Sequence, residues 1–343
     1  MPANRDWRSQ RALRLASGTA LCLAISFGLA LPIPFLAPLI CLALLATLPR
    51  PLPLKAGIGL AVLAALTTGS GLLLIPLLRY YPASGVAIIG LSLFLAFRYG
   101  LRGGNPLLVK FLVIGLTLIS AAGSADFGLA VLVIEALVKG LLLAVLVAGL
   151  SHWLFPEPAN SPGLPQPTRL PADAASWVAL RAALVVLPAF LLALINPASY
   201  MPLIMQAVNL GQQSCTTSAR NAGRELLGST LLGGVLAITL WYALGLFVHL
   251  WMFFLWLLLF GLLLARKLFA LSASRQSPAF WLNSLTTMII LLGQSVQDSA
   301  NGKDVVQAFA VRMSLFIAVT LYACLMVQWL DRQRQPSSLP TPP

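Results

Sequence analysis

Three charged side chains lie within stretches of the sequence that are otherwise apolar, and they are the residues best suited to chemistry. Glu135 and Lys139 are four residues apart within the apolar run 127–153, and Arg312 lies within the run 305–330. A charge at the centre of a bilayer costs about 2.5 to 3.5 kcal/mol or more, so each needs a charged partner or a wet cavity. In such a cavity a carboxylate can exchange protons and a cation can attract an organic anion.

Glu135 and Lys139 have two interpretations. Glu followed by Lys at i+4 is the favourable orientation for an intrahelical ion pair, which would be purely structural. In a transport role, Lys139 or Arg312 attracts a carboxylate and Glu135 exchanges protons. For that role we expect Glu135 to pair with Arg312 across the two halves of the chain, which leaves Lys139 for the substrate.

A second candidate site is a polar stripe in a short apolar run. Gln206, Asn209 and Gln213 recur at i, i+3 and i+7, so they share one face of a helix that cannot comfortably face lipid. The runs 33–48 and 198–213 are both short and interrupted by prolines, which in matching positions is typical of the central site of a transporter. Two ordinary spans with kinks near their ends are the alternative.

The composition predicts the class of protein that must position these residues. Of 343 residues, 59% are hydrophobic and 9% are charged, against about 25% charged in soluble proteins. Several apolar runs reach the length of about 20 residues that spans a bilayer. We therefore predict an all-α polytopic membrane protein of about 12 transmembrane helices, near residues 11–31, 33–48, 56–78, 83–98, 107–124, 127–153, 176–195, 198–213, 222–245, 247–265, 279–296 and 305–330.

The distribution of charge predicts the orientation in the membrane. The net charge of +13 comes from cationic residues that cluster at alternate helix ends, as the positive-inside rule requires, so no nucleic-acid role is needed. Both termini and the segment between the two halves are then cytoplasmic. The four cysteines show no CxxC spacing, so we expect free thiols, no metal and no cofactor.

The two halves of the sequence resemble each other. Pro38-Leu39-Ile40 aligns with Pro202-Leu203-Ile204, and Trp153 aligns with Trp329, with an offset that grows smoothly from 164 to 176 residues. This predicts two parallel six-helix repeats related by a pseudo-two-fold axis along the membrane normal. The predicted units are residues 1–154 (first repeat), 155–175 (a Pro-rich cytoplasmic tether), 176–331 (second repeat) and 332–343 (a disordered tail).

Local signals predict where helices begin and how they pack. Asn105 and Ser277 each precede a proline, and Asp126 and Asp304 precede apolar runs, so all four are expected N-caps. Glycines are frequent in the third and ninth spans, and we expect them to form packing faces: Gly57, Gly59, Gly69, Gly71, Gly223, Gly228, Gly233 and Gly234.

The sequence argues against an enzyme. His152 and His249 fall at opposite ends of their predicted spans, so the bilayer separates them and they cannot share a metal or a dyad. The sequence also contains no nucleophile elbow and no paired acidic motif.

Several features resemble the fusaric acid resistance and aromatic acid exporter family. Each half begins with an Arg-containing helix (Arg11 and Arg14; Arg181), followed by a proline-marked second span. The stretch 224–233 is similar to the family's Arg…Gly-Thr…Gly signature, and the chain resembles a compact, membrane-only branch of unknown function. The resemblance implies a proton-driven exporter of small aromatic or other hydrophobic acids in the bacterial inner membrane. Exporters of this kind often work beside a periplasmic adaptor protein.

The function predicted from all of this is export of small amphipathic or aromatic organic acids. The candidate residues of the substrate and proton pathway are Glu135, Lys139, Arg312, Gln206 and Asn209. An organic-anion channel and a non-transporting membrane subunit of an efflux assembly are the alternatives. The expected partners are the lipid bilayer, an organic anion, an adaptor protein and further copies of the chain.

Overall fold

The protein is all-helical, as predicted. The computed structural model describes residues 3–48, 50–157, 169–215 and 223–333, which contain helices and their connections but no strand. Twelve helices follow one another: α1 Ala3–Gly28, α2 Leu36–Thr47, α3 Lys55–Tyr80, α4 Pro82–Leu101, α5 Pro106–Ala125, α6 Phe127–Leu154, α7 Ala172–Ile195, α8 Pro197–Ser214, α9 Gly223–Leu246, α10 Leu250–Leu268, α11 Pro278–Ala300 and α12 Val305–Gln333.

Nine helices within the described ranges are long and apolar enough to cross a membrane, as in a multi-pass membrane protein. The other three are α1, α2 and α8. Helix α1 carries arginines, and α8 carries the polar stripe. At 12 residues, α2 is about 18 Å long, which is shorter than the bilayer core of about 30 Å. It packs against α1, α6 and α11 and not chiefly against lipid, so it does not have to match the bilayer thickness.

The predicted helix starts are confirmed. The Asn105 side chain accepts a hydrogen bond from the Leu107 amide at 3.0 Å, and Ser277 accepts one from the Phe280 amide at 3.3 Å. Asp126 and Asp304 cap α6 and α12 in the same way. Each cap satisfies an amide that has no partner within its helix.

Two helix crossings depend on glycine. A Cβ built on Gly71, in the 3₁₀ turn of α3, would lie 2.0 Å from the carbonyl oxygen of Gly115, in a π segment of α5. A Cβ on Gly233 of α9 would lie 2.7 Å from the carbonyl oxygen of Ser284 in α11. Packing faces are thus confirmed for these glycines and for Gly57, Gly228 and Gly234, whereas Gly59, Gly69 and Gly223 face open space.

Ion pairs hold the two ends of each half together at one face of the protein. The Arg11 Nε donates to Glu157 at 2.7 Å and the Arg14 Nη2 donates to it at 3.2 Å, which joins the start of α1 to the segment after α6. The Arg181 Nη1 contacts Asp331 at 3.0 Å and joins the start of α7 to the end of α12. We call this face, where α1 begins and α12 ends, the terminal face.

The repeat and the domain boundaries stay predictions. The contacts are compatible with a repeat, since α1 packs against α10 and α7 packs against α4. The first residues of the tether, up to Glu157, lie against α1, and α7 begins at Ala172, four residues before the predicted start of the second repeat. Residues 158–168 of the tether and 334–343 of the tail lie outside the described residues.

Replacing Glu157 with glutamine should destabilise the fold at neutral pH. The Glu157 side chain is 11% exposed and those of Arg11 and Arg14 are 6% and 2% exposed, so the change removes the buried carboxylate that both guanidinium groups contact. Breaking a buried ion pair costs about 3 to 5 kcal/mol. We expect a lower melting temperature for the full chain in detergent at pH 7, and no such change for Asp173→Asn at the exposed start of α7.

The same substitution should have an effect that depends on pH. Burial alone would raise the pKa of Glu157, but the hydrogen bonds and charges of Arg11 and Arg14 together hold it below its ordinary value. A depressed pKa stabilises the fold above the ordinary carboxyl value, and that stabilisation is lost as the pH falls through the depressed value. The difference between wild type and Glu157→Gln should therefore shrink below about pH 4, and a constant difference would contradict the ion pair.

Cysteine labelling should place Ser161 and Ser299 on opposite sides of the membrane. Ser161 belongs to the tether and lies outside the described residues, whereas Ser299 is exposed at the end of α11. Single cysteines at these positions should react with an impermeant reagent from the cytoplasm and the periplasm respectively. The background should lack the native thiols, although burial raises the pKa of the Cys215 thiol to about 12 and limits its reactivity. Labelling of both from the periplasm would overturn the predicted topology.

Candidate functional site

A cavity of about 270 Å³ lies where α2, α5, α8 and α11 meet. Two of these helices, α2 and α8, are the short proline-containing segments that the sequence marks as a candidate centre. The apolar wall is formed mainly by Leu36, Leu39, Ile40, Leu42, Ile114, Leu137, Met205 and Leu282. The polar part is formed by Lys110, Asn209, Gln212, Gln213, Asn283 and Thr286.

The cavity lies close to the terminal face. Lys110 is four residues after the start of α5, Asn283 is five residues after the start of α11, and Gln213 is in the last turn of α8. The start of α5 belongs to the terminal face, because the Leu170 amide just before α7 donates to the carbonyl of Leu101 at the end of α4. A ligand in the cavity would therefore sit in the part of the membrane nearest the termini.

Lys110 is the lining residue best able to attract an anion, because its side chain carries an ammonium group. It is the only titratable side chain among the lining residues, and none of the described carboxylates lies within 4.0 Å of its Nζ. An ammonium group away from water is costly unless it is paired. The cavity thus presents one uncompensated positive charge to whatever occupies it.

Amide side chains of α8 and α11 are held by neighbouring helices, and one of them, Gln206, does not line the cavity. Gln206 is fully buried, its Nε2 donates to Thr230 at 3.4 Å, and its Oε1 accepts from Thr287 at 3.4 Å. The Asn283 Nδ2 donates to the Ser229 hydroxyl at 2.7 Å. The prediction that the stripe on α8 faces protein is confirmed, since Gln206 and Gln213 are buried and Asn209 lines the cavity.

Arg312 belongs to a different recess, near the opposite face. Its guanidinium pairs with Asp298 at the end of α11, and the Lys303 Nζ lies 3.8 Å from the same carboxylate. A recess of about 490 Å³ is lined by Arg312, Lys303 and residues of α8 and α12, which include Tyr200 and Gln307. The protein therefore has cationic groups at two depths, Lys110 near the terminal face and Arg312 near the other.

The expected pair between Glu135 and Arg312 is wrong. Glu135 pairs with Lys139 on its own helix, and both side chains are about half exposed at the surface of α6. The reason is geometric: Leu137 lines the cavity, and residues two positions away on a helix point about 200° away from it. Glu135 and Lys139 therefore face away from the cavity and satisfy each other's charge.

The sequence analysis missed Lys110 even though a signal was present. Asn105-Pro106 is a clear helix start, and counting four residues from Pro106 places Lys110 inside the span and not in the preceding loop.

Residues 11–151 match the model of a family described as a protein of unknown function, DUF2955. No curated protein and no solved structure matches the chain. The DUF2955 match covers α1 to α6 almost completely, including Lys110 and the Glu135–Lys139 pair. The helices that supply Asn209 and Asn283 lie outside the matched segment.

Proposed function

We propose that this protein is a membrane transporter that exports small amphipathic organic anions. The observation that carries the proposal is the Lys110 ammonium, which faces a largely apolar cavity with no described carboxylate beside it. A bound carboxylate would supply the missing negative charge and would gain a charge-assisted hydrogen bond.

The rest of the cavity supports a ligand with one apolar body and one anionic end. Leucine, isoleucine and methionine side chains of α2, α6 and α8 would contact the body, and the amides of Asn209 and Gln213 lie on the polar side near Lys110. The volume of about 270 Å³ is slightly below the usual range of about 300 to 1,000 Å³ for ligand pockets. This favours a small acid with a single ring or a short chain.

Two recesses at opposite depths support movement across the membrane. In this proposal the anion enters beside Lys110 from the terminal face and leaves past Arg312 at the other face, while α2 and α8 rearrange between the two states. The excess of arginine and lysine at the terminal face supports a cytoplasmic location for that face. The direction is then export, in keeping with the resemblance to aromatic acid exporters.

The driving force in this proposal is the membrane potential. A potential of 100 mV contributes about 2.3 kcal/mol per elementary charge, which favours outward movement of a monovalent anion from a negative interior roughly 50-fold. Glu135 points away from the cavity, and no described carboxylate lines it, so the proton exchange expected from the sequence stays a prediction. So do the periplasmic adaptor and the assembly of several copies.

Flux measurements in proteoliposomes test the proposal. Purified full chain should move a radiolabelled benzoate-type acid against its concentration gradient when a potassium-diffusion potential is imposed, without a pH gradient. An imposed potential would also drive the anion through a channel, so the channel is recognised by a flux that rises linearly with acid concentration and shows no counterflow against preloaded unlabelled acid. No movement of any tested acid would favour a scaffolding subunit. Uphill movement that requires a pH gradient and ignores the potential would restore proton coupling and contradict the potential-driven mechanism.

A further inference from the structure

An arginine-lined recess lies at the end of α4, outside the cavity described above. It is lined by Arg98 in the last turn of α4, by Arg102 just after that turn, by Arg169 from the segment before α7, and by Tyr99. Among the described residues, no carboxylate contributes to the lining, and none lies within 4.0 Å of the three guanidinium groups. The Arg98 Nε is buried and has no hydrogen-bond partner.

The backbone at Gly103 and Leu170 positions Arg169 beside the end of α4. Gly103 has φ +99°, a conformation that side chains disfavour, and a Cβ there would lie 2.6 Å from the Arg169 Nε. The Leu170 amide donates to the Leu101 carbonyl at 3.2 Å, which fixes the incoming segment against the end of α4. One cation is enough to complement the partial negative charge of a helix C-terminus, so a third guanidinium from another segment needs a different explanation.

The neighbouring surface of α4 is apolar and exposed. Ile88, Leu91 and Leu95 are 43%, 58% and 50% exposed, and they continue in steps of three and four residues into Arg98 and Arg102. These five positions therefore lie on one face of the helix. An apolar stripe along a bilayer-spanning helix thus leads directly into the arginine recess.

We propose that this face of α4 binds an anionic phospholipid. The phosphodiester group would be held by Arg98, Arg102 and Arg169, whose planar donors suit phosphate oxygens. One acyl chain would lie along Ile88, Leu91 and Leu95. A free phosphate would use the same guanidinium groups but would leave the apolar stripe without a role, so we assign the site to lipid.

The test compares lipid binding by two charge-matched double variants of the full chain. Native mass spectrometry in detergent should show saturable binding of phosphatidylglycerol to the wild type and much weaker binding of phosphatidylcholine. R102Q/R169Q should bind phosphatidylglycerol about 30-fold more weakly, since each arginine near an anionic headgroup contributes about fivefold. R50Q/K55Q removes the same charge from exposed positions elsewhere and should bind within about twofold of the wild type.

Three outcomes would overturn the assignment. These are unchanged phosphatidylglycerol binding by R102Q/R169Q, an equal loss in R50Q/K55Q, and stabilisation by inorganic phosphate that matches stabilisation by the lipid. Arg102 and Arg169 are both exposed, so the variant should fold and melt like the wild type in phosphatidylcholine. Neither residue lines the Lys110 cavity, so this result does not depend on whether the protein transports an organic anion.

Discussion

Replacing Lys110 with methionine should strongly reduce transport of the organic anion at low substrate concentration and leave the protein folded, with stability equal to or above that of the wild type. Methionine has a similar length and is apolar, so it removes an ammonium group that has no described counter-ion without opening a large void. The hydrogen bond lost to a charged ligand is worth about 1.5 to 3 kcal/mol, so substrate affinity should fall roughly 10- to 150-fold.

A loss of transport together with unchanged or increased stability would show that the variant has lost substrate binding and has not simply unfolded. Binding is measured by ligand-dependent thermal shift and transport by proteoliposome flux, both with the full chain. The control is Lys139→Met, which removes the same kind of charge from the outer surface of α6 and strands Glu135. It should lower the melting temperature and leave substrate affinity unchanged. Full transport by Lys110→Met would remove the cavity from the mechanism.

Much of the architecture could be predicted because the signals for it are local. Asn105, Asp126, Ser277 and Asp304 cap helices where the sequence predicts, since a cap depends only on two or three following amides. The twelve helices also correspond in order to the twelve predicted spans, since hydropathy is a property of each segment. The membrane class follows from the same local information.

The pairing of charges could not be predicted in the same way, because it depends on which helix faces meet. Arg312 pairs with Asp298 on the preceding helix and not, as expected from the sequence, with Glu135 of the other half. The sequence places Glu157 in a cytoplasmic tether, but its carboxylate is held by Arg11 and Arg14 of the first helix. These contacts join residues that are 14 to 146 positions apart, and no pattern within one segment specifies them.

The sequence identifies only part of the candidate centre, because the rest again depends on which helix faces meet. The prolines of α2 and α8 and the stripe Gln206, Asn209 and Gln213 identified two of the four helices around the cavity. Lys110 was overlooked because a cation near the end of a span resembles the flanking charges of the positive-inside rule. Its distinction is that it faces a cavity, which becomes evident only when α5 packs against α8 and α2 forms another wall of the same cavity.

Replacing Asp298 with asparagine should be among the most destabilising single changes in the protein. The Asp298 and Arg312 side chains are 6% and 15% exposed, so removal of the carboxylate leaves a largely buried guanidinium without this ion pair. Breaking a buried pair in this way costs about 3 to 5 kcal/mol. The measurement is the free energy of unfolding of the full chain in mixed micelles with increasing SDS.

Asp304→Asn is the matched control. It makes the same chemical change six residues away, at an exposed N-cap where asparagine and aspartate are about equally favourable, so its effect should be below about 0.5 kcal/mol. A similar loss for both variants would mean that general charge near the outer face, and not the ion pair, stabilises this end of α11 and α12.

The double substitution Asp298→Leu with Arg312→Met tests whether the two charges act as a pair. Replacing both members of a buried pair with apolar side chains of similar size is often neutral or stabilising, whereas either change alone leaves one charge stranded. Stability should therefore return close to the wild-type value, because the third charge, Lys303, is exposed and keeps its water. If Arg312 also receives the anion on its way out, the double variant will fold normally but transport poorly. Additive destabilisation would show that Asp298 and Arg312 act independently.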